Sequence, residues 1–193
     1  MLATIQSIPA FGVELEERGL EPVGHTTRLV RLVESMGAAL GLDNEGIEAL
    51  AQAAYLHDIG KLVLPAGILF KSDRLDPGEW AVIKTHPRWS HTLAKVIPGI
   101  HKAALRAILH HHEHWDGTGY PNALEGENIP LEARILSVCD VYDTLLSQRP
   151  YSRAWGIDST LEELRKNSGT QFDPAVIEAF LDRALGKLTL VAA

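Results

Sequence analysis

Apolar side chains return every three or four residues along most of this chain, while alternation in twos is scarce, so the pattern predicts helices. Residues 1–20 are the exception: Pro9, Gly12 and Gly19 interrupt a mixed apolar content, and only weak order is expected there. From about 23 to 40, His25, Leu29, Leu32 and Met36 mark one face of a helix that Gly41 stops. Asp43 suits the N-cap of the next helix, with Leu42 and Ile47 placed to clamp its first turn. That helix is expected to run to His57-Asp58 and stop at Gly60. Asp76-Pro77-Gly78-Glu79 opens another: a capping acid, a proline in the first turn, and a glutamate reaching back. It should end near His86, because Pro87 disfavours helical geometry in the residue before it. Further helices are expected over 88–96, over 100–112, over 131–147, over 160–166 with Ser159 and Glu162 as its cap, and after Asp173-Pro174. Residues 114–130, rich in Gly, Asn and Pro, form a loop of a length that is usually functional or disordered. The fold class is all-α, in one domain.

Composition narrows this further. At 193 residues and 46% hydrophobic, the chain suits a single domain with its own core. A net charge of −7 argues against long nucleic acid, which needs a basic face to displace counterions. Divalent cations held by carboxylates would reverse that sign locally and still attract a small anionic substrate. Cys139 is the only cysteine and lies in the apolar run 135–139, so a disulfide framework is excluded and packing is its expected role. No apolar run reaches membrane-spanning length and no targeting signal is visible, so no membrane partner and a cytoplasmic location are expected.

The chemistry sits in the imidazoles and carboxylates. Glu21 and His25 are four apart, one turn on one helix face, and His25 continues the apolar stripe inward. A hydrogen-bonded pair is the plainer alternative for these two. His57 and Asp58 follow Leu50, Ala53 and Ala54, where a buried aspartate costs several kcal/mol unless a cation or strong donors compensate. Lys61 is the alternative counter-ion for Asp58. In His110-His111-His112, His111 stacks over Ala104 and Ala107, and His112 over Leu105 and Ile108, so these two face inward. His110 stacks over Arg106, on the wet face. Asp140 lies within an apolar helix face with Asp143 three residues on; His86 stands at a helix end beside Pro87, and His91 and His101 are taken as surface residues. Imidazole and carboxylate ligands without thiolate suit iron, manganese or zinc. Glu21, His25, His57, Asp58, His86, His111, His112 and Asp140 exceed what one cation needs, so two or three are expected.

These residues carry a resemblance. His57-Asp58-Ile59-Gly60-Lys61 resembles the HD signature of metal-dependent phosphohydrolases, and Gly119-Tyr120-Pro121, within residues 111–121, is similar to the second signature of the HD-GYP family. Lys84-Thr85-His86-Pro87, Asp140-Val141-Tyr142-Asp143, Arg149-Pro150-Tyr151 and the run 169–174 support it, over residues 21–181. The resemblance implies a helical bundle with the Gly-rich loop over the metal site, spanning 21–185 between a lead-in at 1–20 and a tail at 186–193. It implies a bacterial phosphodiesterase that hydrolyses cyclic di-GMP to the linear dinucleotide and GMP. Its metal ligands fall on His25, His57, Asp58, His86, His111, His112 and Asp140, with Glu21 standing where members that hold three metals carry a glutamate. Lys61, Tyr120 and Arg149 match substrate contacts, Gly119 and Asp143 are placed with them, and Lys61 and Asp58 are the expected catalytic residues. Iron or manganese is the implied metal. Many relatives carry a receiver or sensory domain upstream, so a regulatory domain, a partner protein or a homodimer are candidate partners, and this chain reads as a fragment or a stand-alone form.

Closely spaced cations activate water and stabilise the entering and leaving oxygens of an in-line displacement at phosphorus. Lys61 would add a fixed positive charge. Three other readings compete: a cyclic dinucleotide sensor without turnover, an HD-type nucleotide phosphomonoesterase, and a di-iron oxygenase.

Overall fold

A computed structural model describes residues 7–147 and 154–191, and among these ten α-helices and two short 3₁₀ turns account for the regular structure. Asp43 accepts from the Gly46 N–H at 2.9 Å and opens its helix as expected; Asp76 and Glu79 form a reciprocal capping box. The helices are α1 (Ser7–Glu17), α2 (His25–Ala39), α3 (Asn44–Leu56), α4 (Ala66–Leu69), α5 (Pro77–Ile83), α6 (His86–Ala94), α7 (Lys102–His110), α8 (Leu131–Leu146), α9 (Ile157–Lys166) and α10 (Pro174–Val191). The core lies where α2, α3, α7 and α8 meet, filled by Leu29, Val33, Leu50, Ala53, Leu56, Ala107, Ile108, Ile135 and Leu136. Small residues at Ala53, Ala104 and Ala107 let these helices pack closely. No helix among the described residues is long and apolar enough to cross a membrane.

Several boundaries differ from expectation. Residues 7–17 are helical and not weakly ordered: Ile8, Phe11 and Leu15 fall on one face and pack on the core, and Pro9 sits in the first turn, where its missing N–H is not needed. The break before Pro87 comes at Ile83, and His86 itself opens α6 with Pro87 in its first turn. Helix α7 ends at His110, which leaves His111 and His112 just beyond its C-terminus. Helix α9 starts earlier than predicted, at Ile157, without a side-chain cap from Ser159, and α10 continues to Val191 through most of the expected tail.

Gly60 does not stop a helix. It lies inside the 3₁₀ turn Ile59–Val63, and a Cβ there would meet the His86 carbonyl oxygen at 2.2 Å and the Ser90 nitrogen at 2.6 Å. Its N–H donates to Ser90 Oγ at 2.8 Å. Glycine is what lets the turn carrying Lys61 press against the helix carrying His86.

Candidate metal centre

Three of the histidines stand at or just past the C-terminal end of a helix, His86 three residues after α5 where it also opens α6, and use their rings in the same way. His57 Nδ1 lies 3.0 Å from the Ala54 carbonyl oxygen, His86 Nδ1 2.8 Å from that of Ile83, and His111 Nδ1 2.8 Å from that of Ile108. Each acceptor is three residues back, in a last turn whose carbonyls lack intrahelical donors. The ring caps the helix by donating from Nδ1, and that leaves the Nε2 lone pair aimed away from the helix. The negative ends of α3, α5 and α7 therefore converge with these rings, a field that favours cations.

His25 stands at the start of α2, where the carbonyl three residues back, that of Pro22, accepts the His25 backbone N–H at 3.0 Å instead of its ring. Asp143 takes that place: its Oδ2 lies 2.8 Å from His25 Nδ1, and Arg28 donates to both oxygens from Nε and Nη2 at 2.6 and 2.9 Å. Ser147 adds a contact at 3.3 Å. Asp143, placed with the substrate contacts by resemblance, thus has its oxygens engaged with a histidine ring and a guanidinium.

The ligand atoms gather in two groups, His25 with His57 and Asp140, and His86 with His111 and His112, each able to hold one ion. Asp58 spans them, with Oδ2 3.2 Å from His57 Nε2 and Oδ1 3.1 Å from His86 Nε2. The fit to divalent cations rests on groups left without partners. Among the described residues, His25 Nε2, His57 Nε2 and Asp58 Oδ1 are buried with no hydrogen bond, and the Nε2 atoms of His86 and His111 face each other at 3.4 Å. Unpaired buried polar atoms of this kind are costly, and a shared cation satisfies lone pairs that cannot satisfy one another. Glu21 is buried 3.8 Å from His25 Nε2, and its carboxylate is ion-paired with Lys61, which also meets Asp58 Oδ2 at 2.6 Å. The salt bridge weighed for Asp58 is therefore present, but it engages one oxygen and leaves the other facing His86.

Charges in the centre oppose burial. Burial alone would lower the His57 pKa, but Asp58, Asp140 and Glu21 together push it up to about 9. Burial would raise Asp58, yet Lys61, His57 and His86 hold it well below the usual carboxylate range. Glu21 is raised, chiefly by burial, against the pull of Lys61. His111 and His112 are lowered well below the ordinary value, first by burial and then by neighbouring imidazoles, so they stand as neutral ligands.

The Gly-rich loop closes one side. The Tyr120 ring stacks on His112 with centroids 4.9 Å apart and planes 26° apart. Burial first, then Asp58, raise its phenol well above the ordinary value, so the hydroxyl keeps its proton. Gly119 is required by close approach: a Cβ would lie 2.2 Å from the His114 nitrogen. Glu113, a residue the sequence reading passed over, fastens the loop from beneath; buried, it accepts from the N–H groups of Asn122 and Leu124 at 2.8 and 3.1 Å. Arg88 of α6 holds the outer side through the Pro121 carbonyl and Asn122 Oδ1 at 3.0 and 2.8 Å. His110 stays outside both ligand groups, though its side chain is only 11% exposed because its ring turns to Glu113. Arg149 lies outside the described residues.

An all-helical bundle around a buried cluster of histidines and aspartates that could hold metal ions is the class defined by this geometry. The chain belongs to the HD domain family, whose model matches residues 14–176. It is 43% identical over 164 residues to a protein of Xanthomonas campestris pv. campestris named cyclic di-GMP phosphodiesterase response regulator RpfG, covering 84% of this chain and 42% of that one. It is 34% identical over 169 residues to a Vibrio cholerae protein named 3'3'-cGAMP-specific phosphodiesterase 2, covering 87% and 32%. The chain thus spans less than half the length of these curated relatives. A Vibrio cholerae cyclic GMP-AMP phosphodiesterase structure shares the fold, with a TM-score of 0.73 at 22% identity over 95% of this chain and 49% of that one.

Proposed function

We propose that this chain is a metal-dependent phosphodiesterase that hydrolyses cyclic di-GMP to the linear dinucleotide and onward to GMP. The observation that carries the reading is Asp58, whose two oxygens reach toward the two ligand groups, with Lys61 beside it and Tyr120 above. When bound, two or three divalent cations, iron or manganese, supply a nucleophile from water at neutral pH and Lewis acidity at phosphoryl oxygens. The rest falls to the chain's own side chains. His25, His57 and Asp140 on one side, and His86, His111 and His112 on the other, hold the cations with rings already turned, so little is lost to reorganisation. Glu21 would hold a third cation in place of the Lys61 ammonium with which it pairs. Lys61, kept cationic chiefly by Asp58 against the effect of burial, would oppose the charge that builds on phosphorus. Tyr120, protonated, donates to a phosphate or base edge, and Gly119 lets the backbone come close. Asp143 is assigned to orienting His25 instead of binding substrate, and Arg149 to clamping phosphate or guanine.

A second substrate reading is favoured by the relatives named for 3'3'-cGAMP. The test is elemental analysis of anaerobically purified protein, followed by product analysis on cyclic di-GMP and 3'3'-cGAMP. Metal at about two or three equivalents with linear product from either supports the reading. Tight binding without product would make the domain a sensor, and hydrolysis of mononucleotides alone would make it a phosphomonoesterase.

A further inference from the structure

A cyclic dinucleotide carries two phosphodiesters and two bases, and only one phosphate can sit at the metal centre. The other half must lie against a surface next to it. On α5 the structure has a shallow, open groove of about 620 Å³, walled by Leu75, Pro77, Trp80, Ala81 and Lys84. Trp80 and Lys84 are one helical turn apart, and the Lys84 N–H donates to the Trp80 carbonyl at 3.0 Å, so both side chains present to the same wall. Trp80 is 49% exposed. Lys84 Nζ stands 5.4 Å from the Tyr120 ring centroid, and Tyr120 is the ring stacked on His112. Lys84 thus links the groove to the metal centre, through the Tyr120 ring and the His112 on which that ring stacks.

The charge pattern points the same way. Lys61 and Lys71 have carboxylate partners, in Asp58 with Glu21 and in Glu79 respectively. Lys84 has none among the described residues, in a chain of net charge −7. A lysine that faces only an aromatic ring at the mouth of an acidic centre is available to an anion. The wall behind it is firm: Lys71 Nζ contacts both Glu79 oxygens at 2.7 Å, and the Asp76 capping box ties the Leu75 segment to α5.

We propose that this groove is the subsite for the half of the cyclic dinucleotide away from the cleaved bond, with Trp80 stacking on its purine and Lys84 facing its phosphate. The proposal rests on the phosphodiesterase reading above. Apart from Lys84 and the Trp80 indole N–H the lining offers no polar side-chain group, so the groove reads chiefly the purine face. Guanine and adenine are accepted alike at this subsite.

The experiment uses the manganese-loaded chain with two readouts: the Kd of bis-phosphorothioate cyclic di-GMP, which resists hydrolysis, and KM and kcat for cyclic di-GMP and 3'3'-cGAMP. Trp80→Ala is expected to raise Kd and both KM values about tenfold, with kcat changed less, as loss of a stacked base requires. Trp80→Phe, which keeps a platform, should stay within about threefold. Lys84→Ala should raise Kd and flatten its salt dependence. Kd and KM unchanged in both Trp80→Ala and Lys84→Ala overturn the subsite. A Trp80→Ala loss confined to one of the two substrates overturns its indifference to the base. Wild type that binds the analogue but cleaves nothing sinks the phosphodiesterase reading and leaves the subsite judged by Kd; wild type that neither binds nor cleaves sinks both.

Discussion

Asp143 accepts from His25 across 118 residues of chain, Oδ2 to Nδ1 at 2.8 Å, and does for His25 what backbone carbonyls do for His57, His86 and His111. His57 and His111 follow directly on the last turn of a helix, and His86, though it opens α6, lies just past the end of α5, so each ring finds a carbonyl three residues back. At His25 the carbonyl three residues back, that of Pro22, is taken by the backbone N–H, and the ring meets a carboxylate, itself pinned by Arg28. The same outcome is reached by two routes: Nδ1 donates outward and Nε2 points in.

Asp143→Ala should therefore weaken divalent-metal binding at the His25, His57 and Asp140 group by about 10- to 100-fold, as loss of an orienting partner does. Arg28→Lys, which keeps one donor, should cost less. Manganese titration followed by calorimetry reads both variants. An Asp143→Ala protein that binds manganese as tightly as wild type would show that the His25 ring needs no support.

Asp58→Ala removes the one carboxylate that touches both groups, so turnover and most bound metal should disappear together. His110→Ala is its control, because the His110 ring meets Glu113 and neither ligand group. Metal content and rate for this second variant should remain near wild type. Loss of metal on replacing His110 would mean that the inward histidine pair is placed one residue out.

Much of this was legible in the sequence because it follows local rules. The helical period, the Asp43 and Asp76 caps, and the inward pair His111 and His112 all depend on residues within two turns of one another. Helix α1 was missed because Pro9 and Gly12 count against a helix in any local scale, while Ile8 and Leu15 gain their stability from the core they reach. Arg28 and Asp143 were not legible as a pair, since nothing in the spacing of either announces a partner more than a hundred residues away. Glu113 was overlooked between two histidines. The signal was a buried-pattern carboxylate immediately before a Gly-rich loop, where backbone N–H groups lack partners.

Glu113→Ala should loosen that loop without touching a ligand. It leaves the N–H groups of Asn122 and Leu124 unsatisfied, at about 1–3 kcal/mol for a buried group. A fall of several degrees in Tm is expected, together with a higher KM as Tyr120 loses its fixed place and metal content near wild type. Unchanged Tm and KM would show that Arg88 alone suffices to hold the loop.

Metal binding should release a proton, with a sign set by His57. In the metal-free protein the surrounding carboxylates push its pKa up to about 9, so at pH 7.5 the ring is protonated, whereas a ligand imidazole must be neutral. Manganese affinity should therefore rise with pH up to about 9 and level off above it. His111 and His112, held far below 6.5, are already neutral across this window and contribute no slope. Linkage to folding has the opposite direction: the raised His57 pKa stabilises the metal-free fold fully below about 6.5, and that contribution is lost as pH rises through about 9. Titrating manganese at pH 7.5 in buffers of different ionisation enthalpy should show about one proton released on filling the His57 site. Metal-free thermal unfolding from pH 7 to 9.5 should show a falling Tm, and manganese should restore most of the loss. Binding with no proton release and flat from pH 7 to 9 would mean that the carboxylates around His57 are already neutralised, most simply by Lys61 acting as the resident cation for Asp58 and Glu21.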